Sequence, residues 1–476
     1  MPSLSAIPSP TCPLWLKARH AKFRFAIASL ALGALIGCTS PDQTLQHEQN
    51  KTTQSVVVEL PPMKQFKALR PAKITRSNTS IARDFMALSF QLENGAELPY
   101  FTRFEGPITL RVIGQSIPET LNLDLTELLG RLRAEAGIDI QQVAPDIDAN
   151  ITIQTLPHAA LLRRAPNAAC VVAPNVSSWN ALNRTRRADL NWNALTRRER
   201  LSIFIPDDEA PQEVRDCLHE ELAQALGPLN DLYRLTDSVF NDDNFHSVLT
   251  EFDMLVLKAT YAPELQNGMT RAEVESALPS LLARLNPSGG KVSSLSDEAL
   301  PRTWIKDIEA AMGGKTRRKA RITAAKRAVA FAQSQGWTDN RKALSLFLLG
   351  RLTVYADPET AEGALNEAYF LYTAQRATRY QSAHVAHQLV ILALKDRDYD
   401  AALRLTKRAI PIARESGNAA LLASLMLAQS DALTATGQTA MASRVWLDSL
   451  GWARYGFGTA PLVAAVSSEY VRFKHP

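Results

Sequence analysis

Imidazoles and thiols are scarce in this chain, which carries 8 His and 4 Cys in 476 residues. With so few histidines no Ser-His-Asp order can be traced, and Gly-x-Ser-x-Gly does not occur, so the usual signs of a serine hydrolase are missing. A Gly-x-x-x-x-Gly-Lys-Ser/Thr loop is also absent, which removes P-loop nucleotide hydrolysis. The apolar run Phe25–Ile36 is about 12 residues long, too short to cross a bilayer core of roughly 30 Å as a helix.

That run instead reads as the core of an export signal. Lys17, Arg19, Lys22 and Arg24 precede it, and Leu35-Ile36-Gly37-Cys38 follows. The tetrapeptide resembles a bacterial lipobox. The resemblance implies that Cys38 becomes the lipid-modified first residue of a protein anchored in the cell envelope. Thr39, in place of an aspartate, favours the outer membrane, facing the periplasm. Residues 1–37 hold four basic side chains and no acidic one, so Lys+Arg falls from 53 to 49 against 48 Asp+Glu. Net charge therefore gives no case for a nucleic-acid partner.

Cys12 lies in the signal, which leaves Cys170 and Cys217. Two cysteines in an exported chain are most simply a disulfide, worth roughly 3–4 kcal/mol for a loop of this length. A metal pair or a nucleophile are the rival readings, and Cys217 has no second cysteine at metal-ligand spacing.

Residues 39–76 are polar and aperiodic and read as a flexible tether. Residues 77–290 are expected to form an α+β domain. Ser77–Ser80 offers an N-cap region for a helix over Ile81–Phe90, with Phe85, Leu88 and Leu92 on one face. Ile108–Ile113, Ala149–Leu156 and Arg200–Ile205 pattern as strands, and Leu123–Glu135 as an amphipathic helix. Pro211 opens a further helix that Gly227 stops. Residues 291–476 form an almost purely helical region. Ala325, Ala364, Ala402 and Ala442 recur there 38–40 residues apart, and Asp398–Ile410 resembles the second helix of a tetratricopeptide repeat. Such an array implies a docking surface for a protein partner.

The candidate site lies in Cys217-Leu-His-Glu-Glu-Leu-Ala-Gln-Ala-Leu-Gly-Pro-Leu-Asn-Asp231. The register Glu220-Glu221-x-x-Gln224-x-x-Gly227-x-x-Asn230 resembles the metzincin zinc-protease helix, H-E-x-x-H-x-x-G-x-x-H. That implies a zincin-like domain with Glu221 at the general-base position. Every imidazole is replaced, however, and carboxamide oxygens are weak zinc ligands. No cofactor is expected; oxygens from Glu220, Gln224, Asn230 and Asp231 would suit a hard divalent ion such as calcium better than zinc. Ser238–Asp243 falls where metzincins place their methionine turn, and Leu249–Tyr261 resembles their closing helix. With Arg103-Phe-Glu-Gly-Pro107 and Pro263–Met269, these residues make the stretch from 78 to 285 similar to the bacterial family called domain of unknown function 2927, to which no activity is assigned.

Two functions stand from different classes. One is a non-enzymatic binding and assembly factor, with Glu220, Glu221, Gln224 and Asn230 as a polar cluster fixing loop 228–245. The other is a metal-assisted hydrolase of envelope peptides or peptidoglycan, with Glu221 as base. Outside this helix, arginines around Trp192 (Arg184, Arg186, Arg187, Arg197, Arg198 and Arg200) favour a polyanionic glycan or a partner surface. His384 and His387 fit packing better than metal binding.

Overall fold

A computed structural model describes residues 60–66, 74–166, 168–241, 243, 245–291, 300–313 and 316–471. The leader, Cys38 and residues 39–59 of the expected tether lie outside the described residues.

The first half is an α/β domain. In chain order it contains α1 (Asn78–Phe90), β1 (Ile108–Ile113), α2 (Glu119–Arg131, continued by a π turn), β2 (Ile140–Gln142), β3 (Ile151–Leu156), α3 (His158–Arg164), β4 (Val171–Pro174), α4 (Trp179–Arg184), β5 (Leu201–Pro206), α5 (Pro211–Leu226), α6 (Glu251–Thr260) and α7 (Arg271–Leu285). The strands form one sheet in the order β2-β1-β3-β5-β4, with β4 alone antiparallel, paired to β5 at the edge. Strand β5 is buried at every position because both faces are covered. Leu201, Ile203 and Ile205 join the main core with Val214, Leu218 and Leu222 of α5. Phe204 points the other way, into a smaller core with Leu161, Leu182 and Leu190. The expected N-cap holds, with Ser77 accepting from the backbone N–H of Ser80.

The second half is helical: α8 (Arg302–Met312), α9 (Arg318–Ser334), α10 (Asn340–Thr353), α11 (Pro358–Thr373), α12 (Arg379–Lys395), α13 (Tyr399–Glu415), α14 (Ala419–Ala435), α15 (Thr439–Phe457) and α16 (Ala460–Val471). Consecutive helices pack on one another. Asp339, Asp357, Asp398 and Asn418 each accept a backbone N–H of the first turn that follows, which starts α10, α11, α13 and α14. Gly417 and Gly437 supply the left-handed residue between neighbours. Ala325, Ala364, Ala402 and Ala442 are all buried, on the second helix of each successive pair. Gly350 serves the same close approach, since a Cβ there would sit 2.5 Å from Leu365 Cγ.

The two halves are joined by polar contacts at the start of α5. Gln212 bridges to the repeats, donating to Asn418 Oδ1 at 3.2 Å and accepting from the N–H of Ala420 at 3.0 Å. Arg215 donates to the carbonyl of Gly417 and stacks over both Phe66 and Tyr455. The Tyr455 hydroxyl donates to Asp124 of α2 at 2.7 Å. Residues 60–66 fall within the stretch read as tether, yet they lie against α15. The N–H of Lys64 donates to Gly451 O at 3.0 Å, Arg454 donates to Pro61 O at 2.8 Å, and Phe66 packs on Trp452. Apolar Leu60, Met63 and Phe66 account for the docking, and Gly451 leaves room for it.

A second junction is apolar. Tyr233 and Phe245, from the chain between α5 and α6, enter the core of the repeats. Tyr233 meets Trp304, and Phe245 meets Phe347, Tyr372 and His384. Burial holds His384 down at about 3 and His387 at about 4, so both are neutral packing groups at neutral pH.

Cys170, beside β4, is bonded to Cys217 of α5 across 47 positions. Replacing both by serine should cost about 4 kcal/mol in the chain-entropy account. Denaturant midpoints of the oxidised protein and the double variant measure this, and equal midpoints would refute it. Arg215→Ala should cost about 2–3 kcal/mol, from a buried charged hydrogen bond and two cation–π contacts. Urea unfolding followed by tryptophan fluorescence checks that value.

Candidate functional site

Helix α5 has Pro211 in its first turn, where the missing N–H costs nothing, and it ends at Gly227. The glycine answers a close approach: a Cβ would lie 2.9 Å from Thr260 Cγ2 on α6. The last carbonyls of α5 are taken by side chains. Arg198, fully buried, donates to Gln224 O at 2.6 Å, to Ala225 O at 2.8 Å and to Gly227 O. Tyr261 donates to Leu226 O at 3.0 Å. A guanidinium at this end also meets the negative pole of the helix.

Each motif residue has a definite place. The carboxyl of Glu221, 2 % exposed, accepts from the N–H of Val172. Ladder pairing alternates along an antiparallel strand, and Asn175 already donates to Arg200 O. The N–H of Val172, three residues earlier, therefore faces away from β5, and Glu221 seals the outer edge of the sheet. Burial first, and the nearby Asp231 second, push Glu221 up to about 8, so it is mainly protonated at neutral pH. Asp231 rises to about 6, again chiefly by burial, and lies against Glu93. Glu221 and Asp231 thus do share one buried environment. Asn230 instead turns to α1, donating to Ala87 O at 3.1 Å. Glu220 is half-buried, and Gln224 is buried with no partner for its Nε2 among the described residues. Among the described residues, no three His, Cys, Asp or Glu side chains are grouped to hold a metal ion. The imidazole nearest the motif, His219, accepts from the N–H of Leu249 at Nδ1 (3.1 Å) and is held well below its ordinary range, first by burial and then by Arg215 and Arg131.

The loop after α5 is held by Asn230 and also by residues outside the motif. Asp253, fully buried, accepts from Ser238, from the N–H of Val239 and from the N–H of Thr250, closing a capping box at the start of α6. Asp84 on α1, also fully buried, takes Arg76, Arg83 and Arg234, while Arg76 also bridges to Asp237. Sequence carried a sign of this hub. Ile81, Asp84, Phe85 and Leu88 fall on one helical stripe, and a carboxylate on a buried stripe needs cationic partners.

The chain is thus an α/β domain with one antiparallel edge strand, packed on a buried helix and docked against a helical array. Residues 78–280 match the family described as Protein of unknown function (DUF2927). No curated protein and no solved structure matches the chain.

A carboxyl raised in the fold costs stability as pH climbs from its unfolded value near 4.5 towards 8. Glu221→Gln removes that cost. The variant should therefore gain a few degrees of melting temperature over the parent at pH 8 and less at pH 5. Melting curves across that window test it, and an equal offset at both pH values would contradict it.

Proposed function

We propose that this protein is an envelope lipoprotein, anchored through Cys38 in the outer membrane and facing the periplasm. In this reading its α/β domain is a zincin-like scaffold that serves non-enzymatic binding and assembly. The parallel sheet with its antiparallel edge strand, lying over a helix that stops at Gly227, supports the zincin likeness. One observation carries the non-enzymatic reading: the motif side chains do not converge on one point, because Asn230 turns away to donate to Ala87 O while Glu221 is buried against the sheet edge. A glutamate in such a helix acts as base on a metal-bound water, and the carboxamides here are weak zinc ligands. Zinc does not fit, because Glu220, Gln224 and Asn230 stand where imidazoles would be needed and Asn230 is engaged with Ala87 O.

The helical half, read as a tetratricopeptide-like array, is the docking module for a protein partner. Tyr233, Phe245 and α5 already occupy one side of it. An external partner is therefore left the outer helices, where Phe370 is 71 % exposed and Met441 and Leu447 of α15 about half exposed.

A hydrolase is the second reading, and it has its own observation. Glu221 Oε2 and Gln224 Nε2, three residues apart on α5, are buried without partners among the described residues, and raised carboxyl pKa values cluster at catalytic centres. Elemental analysis of the purified protein, with peptide and peptidoglycan hydrolysis by the parent and Glu221→Gln, separates the two. The binding reading expects no stoichiometric metal and no turnover. Bound metal with turnover lost in Glu221→Gln would overturn it.

A further inference from the structure

The α/β domain carries a cationic lobe that neither the site nor the interdomain junctions use. Residues 158–200 contain eight arginines, no lysine and two carboxylates, Asp189 and Glu199. Elsewhere in residues 38–476, 41 Lys+Arg stand against 46 Asp+Glu. This near-neutral chain thus carries a strongly cationic segment in its α/β domain, with a second basic stretch at residues 313–338 of the helical half.

That segment is a built unit. α3, α4 and the 3-10 turn at Arg187–Leu190 share a small core through Leu161, Leu182 and Leu190, closed by Val176 and Phe204. Phe204 lies on the face of β5 opposite Ile203 and Ile205, which pack towards α5. The lobe therefore covers the sheet face turned away from α5, through which the repeats dock. Its loop is shaped by Asn175, at φ 62°, whose amide donates to Asp189 O at 2.9 Å.

Seven of the eight arginines are exposed; Arg198 is the buried one that closes α5. Arg186 pairs with Asp189, and Arg197 with Glu199. Arg163, Arg164, Arg184, Arg187 and Arg200 form no ion pair among the described residues. Guanidinium groups match the oxygens of phosphate with two parallel hydrogen bonds, which lysine cannot do.

We propose that this arginine lobe is a docking surface for anionic lipid headgroups. This rests on the envelope-lipoprotein reading. Between Cys38 and Leu60 the chain can extend to about 75 Å. A lipid at Cys38 therefore limits distance from the membrane but does not choose a face. The exposed arginines of the lobe offer one such face.

The test removes the lipid. The full mature chain with Cys38→Ser is sedimented with vesicles of phosphatidylcholine alone and of phosphatidylcholine mixed with phosphatidylglycerol, at low and high salt. Binding to the phosphatidylglycerol vesicles only, reduced by salt and falling about tenfold or more in Arg163→Glu/Arg164→Glu/Arg184→Glu/Arg187→Glu, is expected. The four sites are exposed, and an unchanged melting temperature verifies that the variant folds; Arg186→Gln/Arg197→Gln, which alters only the paired arginines, should retain most binding. Equal sedimentation of parent and quadruple variant would overturn the proposal. So would binding to soluble polyphosphate or single-stranded DNA without binding to vesicles. Lipid labelling of the parent at Cys38, measured separately, tests the anchor itself, so failure of the lobe and failure of the anchor are distinguishable.

Discussion

Helix α5 is buried along most of its surface, and the rest of the molecule is arranged around satisfying what that burial covers. The sheet covers one flank, α6 presses against Gly227, and the repeats close the N-terminal end. A polar group in such a position keeps its hydrogen bonds within the protein or destabilises the fold. Arg198 and Tyr261 therefore hold the last carbonyls, Glu221 accepts from the sheet edge, His219 from the start of α6, and Arg215 reaches the turn before α14. The sequence resembling a catalytic helix is, in this setting, the central strut between two domains.

Much of this was legible beforehand because it depends on local pattern. Alternation marked β1, β3 and β5, and alanine spacing marked the helical second half. The Cys170–Cys217 bond followed from having two cysteines left to pair. β2 was not legible, since three residues carry too little periodicity. α8 was missed as well, although its Trp304 and Ile308 lie four apart.

The site was legible in position and less so in bonding. Spacing placed Glu221 on a helix, and the fold brings Asp231 near it. Nothing local could disclose that Asn230 would turn to Ala87, or that Arg198, 26 residues before Gln224, would occupy its carbonyl. Those contacts are set by which elements meet in space. The loop after α5 shows the same division. Thr250 and Asp253 form a capping box readable from four consecutive residues, whereas the partners of Asp84 come from three separate segments.

The short N-terminal segment at residues 60–66 has a mechanical consequence. It joins the fold at α15, at the far end of the sequence, and Phe66 lies in the same stack as Arg215 and Tyr455. Any pull arriving along the chain from its N-terminal side is borne first by this stack, before it reaches α1. The load enters as shear across the seam between the two domains, and not through the sheet.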